Sequence, residues 1–276
     1  MARRTLASDV GLEGTALHAG VRSKVRIQSA APGTGIVFRR SDIPGSAPIR
    51  ALWSNVVETR LGTVIAAADG TNIGVVEHLM SALAGADIDD CIIDVEGPEP
   101  PILGGDALSF LQPVLDAGVV EQGGDRPVLV VRDVVETSDK NASCRLVPSA
   151  EPEFRFEIDF ESPAIGRQEY EFRFSPAAYR KEIAPARTFG FYEEAEMLRA
   201  AGLARGANLT NTLVIDGEKL MNPELQRFPD EFVRHKILDA IGDMKLAGTP
   251  IRGRFEGSRS SHALNNALLR ALFANP

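Results

Sequence analysis

The chain predicts an α+β protein built from two tandem sheet-plus-helix domains of related topology, with their helix layers packed together at the interface. Three observations lead there. Its 276 residues exceed a usual domain of about 100–200. Each half passes through several strand-like segments before reaching a helix-like one. A short internal echo then links the halves: Val76-Glu-His-Leu-Met-Ser-Ala-Leu-Ala-Gly85 matches Val233-Arg-His-Lys-Ile-Leu-Asp-Ala-Ile-Gly242, with valine, histidine and glycine at the same offsets. A duplicated unit explains the echo, and packing helix on helix would bring His78 and His235 together at the seam. Gly123-Gly-Asp-Arg-Pro127 marks the border, giving domains 1–124 and 125–276.

In the first half, 11–20 is a glycine-punctuated segment and 25–29 alternates as a strand does. Residues 31–35 form a turn into strand-like 36–39, 44–48 is a loop, and 51–64 reads as short strands. Asp69-Gly70 has the composition of a hairpin turn. A helical pattern covers 75–83 and stops at Gly85; 92–95 is a strand, 97–105 a stiff irregular loop, and 110–117 a short helix ended by Gly118. The second half opens on β-branched 128–135. Phe154, Phe156, Ile158 and Phe160 alternate, as do Tyr170, Phe172 and Phe174, so two strands each present one buried face. Residues 191–201 read as a helix and 213–215 with Asp216-Gly217 as a strand and turn. A long helix over 229–247 has Pro229 near its start and Gly248 past its end, and 263–274 is a last amphipathic helix.

Composition excludes several classes. Hydrophobic residues at 44% and charged residues at 25% suit a globular protein with a sizeable core in each half. A net charge of −8 argues against nucleic acid as partner, while a local Lys/Arg cluster can still serve an anionic substrate. Two cysteines, Cys91 and Cys144, are too few for a disulfide scaffold and fit a reducing compartment. Met1-Ala-Arg-Arg4 is basic but no apolar stretch follows, and no run approaches about 18 apolar residues. The expectation is a cytoplasmic monomer without a transmembrane segment. No glycine-rich nucleotide loop and no G-x-S-x-G elbow is present.

The chemistry concentrates around four histidines, His18, His78, His235 and His262. His235 and Asp239 stand four apart in a helical stretch, so they share one face and can hold two corners of a zinc site. A salt-bridged surface histidine is the plain alternative. His78 is the best third ligand, leaving one position open. Glu77, its neighbour, is offset by roughly 100° on a helix and could lie beside a water as general base; a solvent-facing glutamate is the alternative. His262 could act as a general acid, charged near neutral pH if Asp243 sits beside it. Lys236 and Arg259 could hold anionic groups or be surface charges. Thr188, in Ala186-Arg-Thr-Phe-Gly-Phe191, could steady an oxyanion. Phe189 and Phe191 could line an apolar channel or simply pack. Metal-assisted hydrolysis is the leading reading.

At these residues the chain resembles the zinc-dependent UDP-3-O-acyl-N-acetylglucosamine deacetylases of lipid A biosynthesis. The likeness is carried by Gly14-Thr-Ala-Leu-His-Ala-Gly20, Gly35-Ile-Val-Phe-Arg-Arg40, Val76-Glu-His-Leu-Met-Ser-Ala-Leu83, Arg187-Thr-Phe-Gly-Phe191, His262-Ala-Leu-Asn-Asn266 and, most specifically, the run from Phe228 to Asp243. The resemblance implies zinc on His78, His235 and Asp239. It implies Glu77 as general base or single acid/base, His262 as the group serving the amine, Asp243 as its orienting partner, and Thr188 as oxyanion donor. Lys236 matches a polar substrate contact and Phe189 a residue near the sugar, while an insert near 193–217 would shape an apolar passage for the acyl chain. The implied substrate is a UDP-linked acylated amino sugar, and the implied product acetate.

Three segments depart from the family pattern: Val75 stands where threonine is usual, Leu103-Gly-Gly-Asp106 where Met-Asp-Gly-Ser is usual, and Arg259-Ser-Ser-His262 where Lys-Ser-Gly-His is usual. Ser261 would be strained if its position needs φ > 0, and Arg for Lys changes reach and fork geometry. These departures keep two alternatives open: a paralogous zinc amidohydrolase acting on another N-acylated sugar, and a weakly active or inactive binding or regulatory relative. Iron(II) could use the same two-histidine, one-carboxylate set. Acyl-chain length is not legible.

Overall fold

Alternating apolar side chains fold each half around a five-stranded sheet, and both sheets are wired the same way. A computed structural model describes residues 2–274. The first sheet runs, in spatial order, Val10–Thr15, Arg22–Ser29, Cys91–Glu96, Ile36–Arg40 and Ile49–Arg50. The second runs Val135–Asp139, Ala142–Val147, Arg254–Ser258, Glu153–Asp159 and Arg167–Arg173. In each, two hairpins come earlier in the sequence and a later strand, Cys91–Glu96 or Arg254–Ser258, lies between them. That strand pairs antiparallel on one side and parallel on the other.

One face of each sheet is buried. Val25, Ile27, Phe38, Ile93 and Val95 supply it in the first half, and Leu146, Phe156, Ile158, Phe172 and Phe255 in the second. The expected alternation of 154–160 and 170–174 is present, although the strands stop at Asp159 and Arg173. The β-branched stretch 128–135 serves two sheets: Leu129–Val130 pairs in parallel with Ile251–Arg252, and Val135 starts the five-stranded sheet. The chain's first strand, Ala2–Leu6, pairs with Val119–Asp125.

Helices cover the buried faces. Glu77–Gly85 and Leu108–Asp116 belong to the first half, Glu231–Lys245 and His262–Ala274 to the second. A nine-residue helix is below the length stable alone in water. Glu77–Gly85 holds its shape because eight of its nine residues are buried, largely against Glu231–Lys245. Gly242 sets this approach, and Gly85 makes room for Tyr179. A Cβ on Gly242 would lie 2.1 Å from the Glu77 carbonyl oxygen, and one on Gly85 would lie 2.1 Å from the Tyr179 ring. Each half also carries a three-stranded insert: Val56–Glu58, Val64–Ala66 and Asn72–Ile73 in the first, and Phe189–Phe191, Leu213–Asp216 and Lys219–Leu220 with the helix Tyr192–Ala200 in the second. No helix among the described residues is long and apolar enough to cross a membrane.

Candidate active site

The close helix pair brings His78 to His235 and Asp239. His78 Nε2 stands 3.6 Å from Asp239 Oδ1, and His235 Nε2 stands 3.4 Å from the same oxygen. One donor atom from each residue lies within 4.8 Å of the other two, and all three side chains are buried. Donors bound about 2.0–2.2 Å from one tetrahedral ion stand roughly 3.3–3.5 Å apart, so this set fits a divalent cation. Burial pushes the His78 imidazole down to about 3 and that of His235 below its ordinary value, which keeps both neutral with a lone pair to give. Burial opposes ionisation of Asp239, but the basic side chains around it, with the Lys236 ammonium 2.7 Å from Oδ2, outweigh it and hold the carboxyl well below the usual carboxylate range. The Nδ1 of His235 lies 3.1 Å from the Ala186 carbonyl oxygen, which fixes the ring and leaves Nε2 to the cluster. The Nδ1 of His78 is buried with no partner among the described residues.

Beside the cluster sits a second group of titratable side chains. Glu77, at the start of its helix, accepts a hydrogen bond at Oε2 from the Thr63 backbone N–H at 2.9 Å. Its Oε1 is 3.8 Å from His262 Nε2. Burial raises the Glu77 carboxyl to about 7, a value suited to gaining and losing a proton near neutrality. His262 begins the last helix and points Nδ1 at Asp243 Oδ2, 2.8 Å away. Burial disfavours its charge, yet Asp243 and Glu77 together push it up to about 9. Asp243 is tied further by the Thr63 hydroxyl at 2.7 Å and the Asn265 amide at 2.9 Å. Neither Thr63 nor Asn265 emerged from the sequence as a site residue. Asn265 lies in the quoted His262-Ala-Leu-Asn-Asn266 motif, whereas Thr63 sits in a loop with no local pattern to mark it.

The insert of the second half walls a cavity of about 830 Å³ lined by Thr188, Phe189, Phe191, Leu198, Val214 and Met221 among others. The Phe189 ring meets His235 edge-on at 6.2 Å, so the cavity adjoins the histidine cluster. Phe191 packs on Phe160 at 5.9 Å. Thr188 is held by its backbone, its N–H donating to Gly105 and its carbonyl accepting from Leu213, and it is one of the residues lining the cavity.

The profile of the UDP-3-O-acyl N-acetylglycosamine deacetylase family matches residues 3–274. The chain belongs to that family. Proteins named UDP-3-O-acyl-N-acetylglucosamine deacetylase are 45% identical in Phenylobacterium zucineum, covering 100% of this chain and 94% of the relative. In Myxococcus xanthus the identity is 43%, covering 99% and 87%, and in Chromobacterium violaceum 44%, covering 99% and 91%.

In this deacetylase-family chain two of the departing segments hold residues paired within the fold, Asp106 and Arg259. Asp106 is buried, accepts from the Ser109 backbone N–H at 2.9 Å and hydroxyl at 2.7 Å, and pairs with Arg227. Ser261 is not among the residues at positive φ; the left-handed residue of that loop is Arg259, at φ 51°. Arg259 pairs with Asp159. Val75 and Leu103 also sit at positive φ, 52° and 50°, an uncommon conformation for a β-branched valine. Lys236 donates to Asp239 Oδ2 at 2.7 Å, so its nearest partner is a cluster residue.

Proposed function

We propose that this chain hydrolyses the N-acetyl group of UDP-3-O-acyl-N-acetylglucosamine in lipid A biosynthesis, releasing acetate, with zinc held by His78, His235 and Asp239. The single observation that carries the reading is the meeting of those three donors with Glu77 and His262, in a chain whose family and relatives bear the deacetylase name. A bound zinc ion would polarise the acetyl carbonyl and acidify a water. Glu77 takes the proton of the attacking water, its raised pKa letting it carry that proton afterwards. Thr188, among the residues lining the cavity, donates to the oxygen that becomes negative. His262, charged and held through Nδ1 by Asp243, directs Nε2 inward and gives a proton to the departing amine. The C–N bond breaks, leaving acetate and the free amino sugar.

Phe189 and Phe191 line the cavity that receives the 3-O-acyl chain. An ammonium has three N–H donors, so Lys236 can keep Asp239 and still meet a polar group of the substrate. Arg259, on the loop before His262, has further N–H groups for the nucleotide. Full-length relatives bearing one name favour this substrate over another N-acylated sugar. Two units over 1–124 and 125–276, a monomeric state, a cytoplasmic location and the absence of any nucleic-acid partner complete the proposal, supported by the duplicated sheets and the acidic charge.

Purified zinc-loaded protein should release one acetate per UDP-3-O-acyl-N-acetylglucosamine consumed, and Glu77→Ala should lose nearly all of that turnover while still binding metal. Absence of acetate from the unmutated protein would refute the proposal. Reconstitution with iron(II) in place of zinc, read by the same assay, decides which ion supports turnover.

A further inference from the structure

Among the described residues, Thr63 is the one in the first half that hydrogen-bonds both Glu77 and Asp243, the two carboxylates facing His262. It is 1% exposed and directly precedes the strand Val64–Ala66. Its backbone N–H donates to Glu77 Oε2 at 2.9 Å, and its carbonyl accepts from the Val76 N–H at 3.2 Å. Its hydroxyl donates to Asp243 Oδ1 at 2.7 Å, joining positions 180 apart in sequence. The loop presses closely here, since a Cβ on neighbouring Gly62 would come within 2.8 Å of Glu77 Oε1.

These bonds fill the Asp243 carboxylate in a defined way. One oxygen accepts from Thr63; the other accepts from the Asn265 amide and faces His262 Nδ1. An ionised carboxylate only accepts, so the Thr63 hydroxyl must donate and its direction is fixed. Without that donor the carboxylate can turn about its Cβ–Cγ bond. It would then no longer present one particular oxygen to His262.

We propose that Thr63 is a positioning residue: through its hydroxyl it sets the rotation of Asp243, and thereby the proton position and ring orientation of His262. The proposal rests on the deacetylase reading above for its activity arm only. The two anchors of Thr63 are separable, because side-chain substitution leaves the N–H to Glu77 in place.

The test uses the metal-loaded full chain. Thr63→Val keeps the shape and removes the hydroxyl; Thr63→Ser restores it. The expected result is a kcat lower by about tenfold to a hundredfold in Thr63→Val, the range for one hydrogen bond to a charged group. KM should stay within about twofold, and Thr63→Ser should return most of the rate. In an Asp243→Asn background the Thr63→Val penalty should shrink to about twofold or less, because the group it acts through is already altered. Unchanged kcat in Thr63→Val, or a full penalty that persists beside Asp243→Asn, overturns the proposal. A spectroscopic arm needs no turnover. In histidine-¹⁵N-labelled protein, the His262 Nδ1–H proton resonance should move upfield or broaden in Thr63→Val and stay in Thr63→Ser; an unmoved resonance overturns the link. If valine prevents folding, Thr63→Ala replaces it in both arms with the same expected and overturning outcomes. An unmutated protein that releases no acetate refutes the deacetylase reading, while the resonance still decides the role of Thr63.

Discussion

Substituting Gly242 with alanine tests whether the metal cluster depends on how closely the two central helices approach. The added Cβ would lie 2.1 Å from the Glu77 carbonyl oxygen, 2.8 Å from its carbonyl carbon and 3.1 Å from its Cα. A carbon–oxygen pair needs about 3.2 Å, so about 1 Å of separation must be created. The obstacle is helix backbone and cannot swing aside as a side chain can. Overpacking of this kind costs about 1–3 kcal/mol. At about 2–4 °C per kcal/mol for a chain of this length, the melting temperature should fall by several degrees. The geometric effect is larger. Glu77 adjoins His78, so moving its helix by about 1 Å widens the 3.6 Å spacing between His78 Nε2 and Asp239 Oδ1 to about 4.6 Å. A single ion with bonds of about 2.0–2.2 Å spans that poorly. Gly242→Ala should therefore bind zinc at least tenfold more weakly and lose most of its turnover. Gly11→Ala is the control, since a Cβ there meets nothing within 4 Å. Metal content after dialysis, thermal unfolding and acetate release measure all three. A Gly242→Ala protein with one tightly held zinc, unchanged kcat and unchanged melting would refute the reasoning.

Three more outcomes follow from the site. His235→Ala should fail to retain stoichiometric metal by elemental analysis and should lose about three decades of kcat, the scale of several kcal/mol of charge stabilisation. In metal-free protein, folding favours protonated His262, because its pKa is raised to about 9 from 6.5. That contribution is complete below about pH 6.5 and disappears as pH rises through about 9, so unfolding temperature should drop between pH 7 and pH 10 more steeply than in His262→Gln. Leu198→Trp narrows the 830 Å³ cavity; if it displaces two methylenes at about 0.8 kcal/mol each, kcat/KM for a long-chain substrate falls about fifteenfold. A substrate with a short 3-O-acyl group should be little affected in the same kinetic assay.

Local patterns made much of this molecule legible. The expected helices over 75–83, 191–201 and 229–247 correspond to Glu77–Gly85, Tyr192–Ala200 and Glu231–Lys245. The repeated valine, histidine and glycine pointed to paired helices, and the sheets do share one topology. The meeting of His235 with Asp239 could be anticipated from their one-turn spacing, and that of His78 with His235 from the internal echo. What stayed hidden depends on contacts far apart in sequence. Cys91–Glu96 and Arg254–Ser258 look like ordinary strands, and nothing in them announces insertion between earlier hairpins. Asp106 looked like a displaced acidic residue, but it accepts from Ser109 and pairs with Arg227, 121 positions away. Thr63 had no periodicity to single it out, since its importance comes from one bond 180 positions long.

The matched helices also carry a lesson about ancestry. His78 and His235 occupy the same slot in their respective repeats, and their rings stand 4.9 Å apart at 90°. A half-length forebear paired with its own twin would present two such imidazoles to one ion through a self-complementary face. The two copies differ elsewhere: the counterpart of Glu77 is Arg234 and the counterpart of Asp239 is Ala82. Within one polypeptide the two copies need not match, so one can carry the proton-bearing Glu77 and the other the anionic donor Asp239.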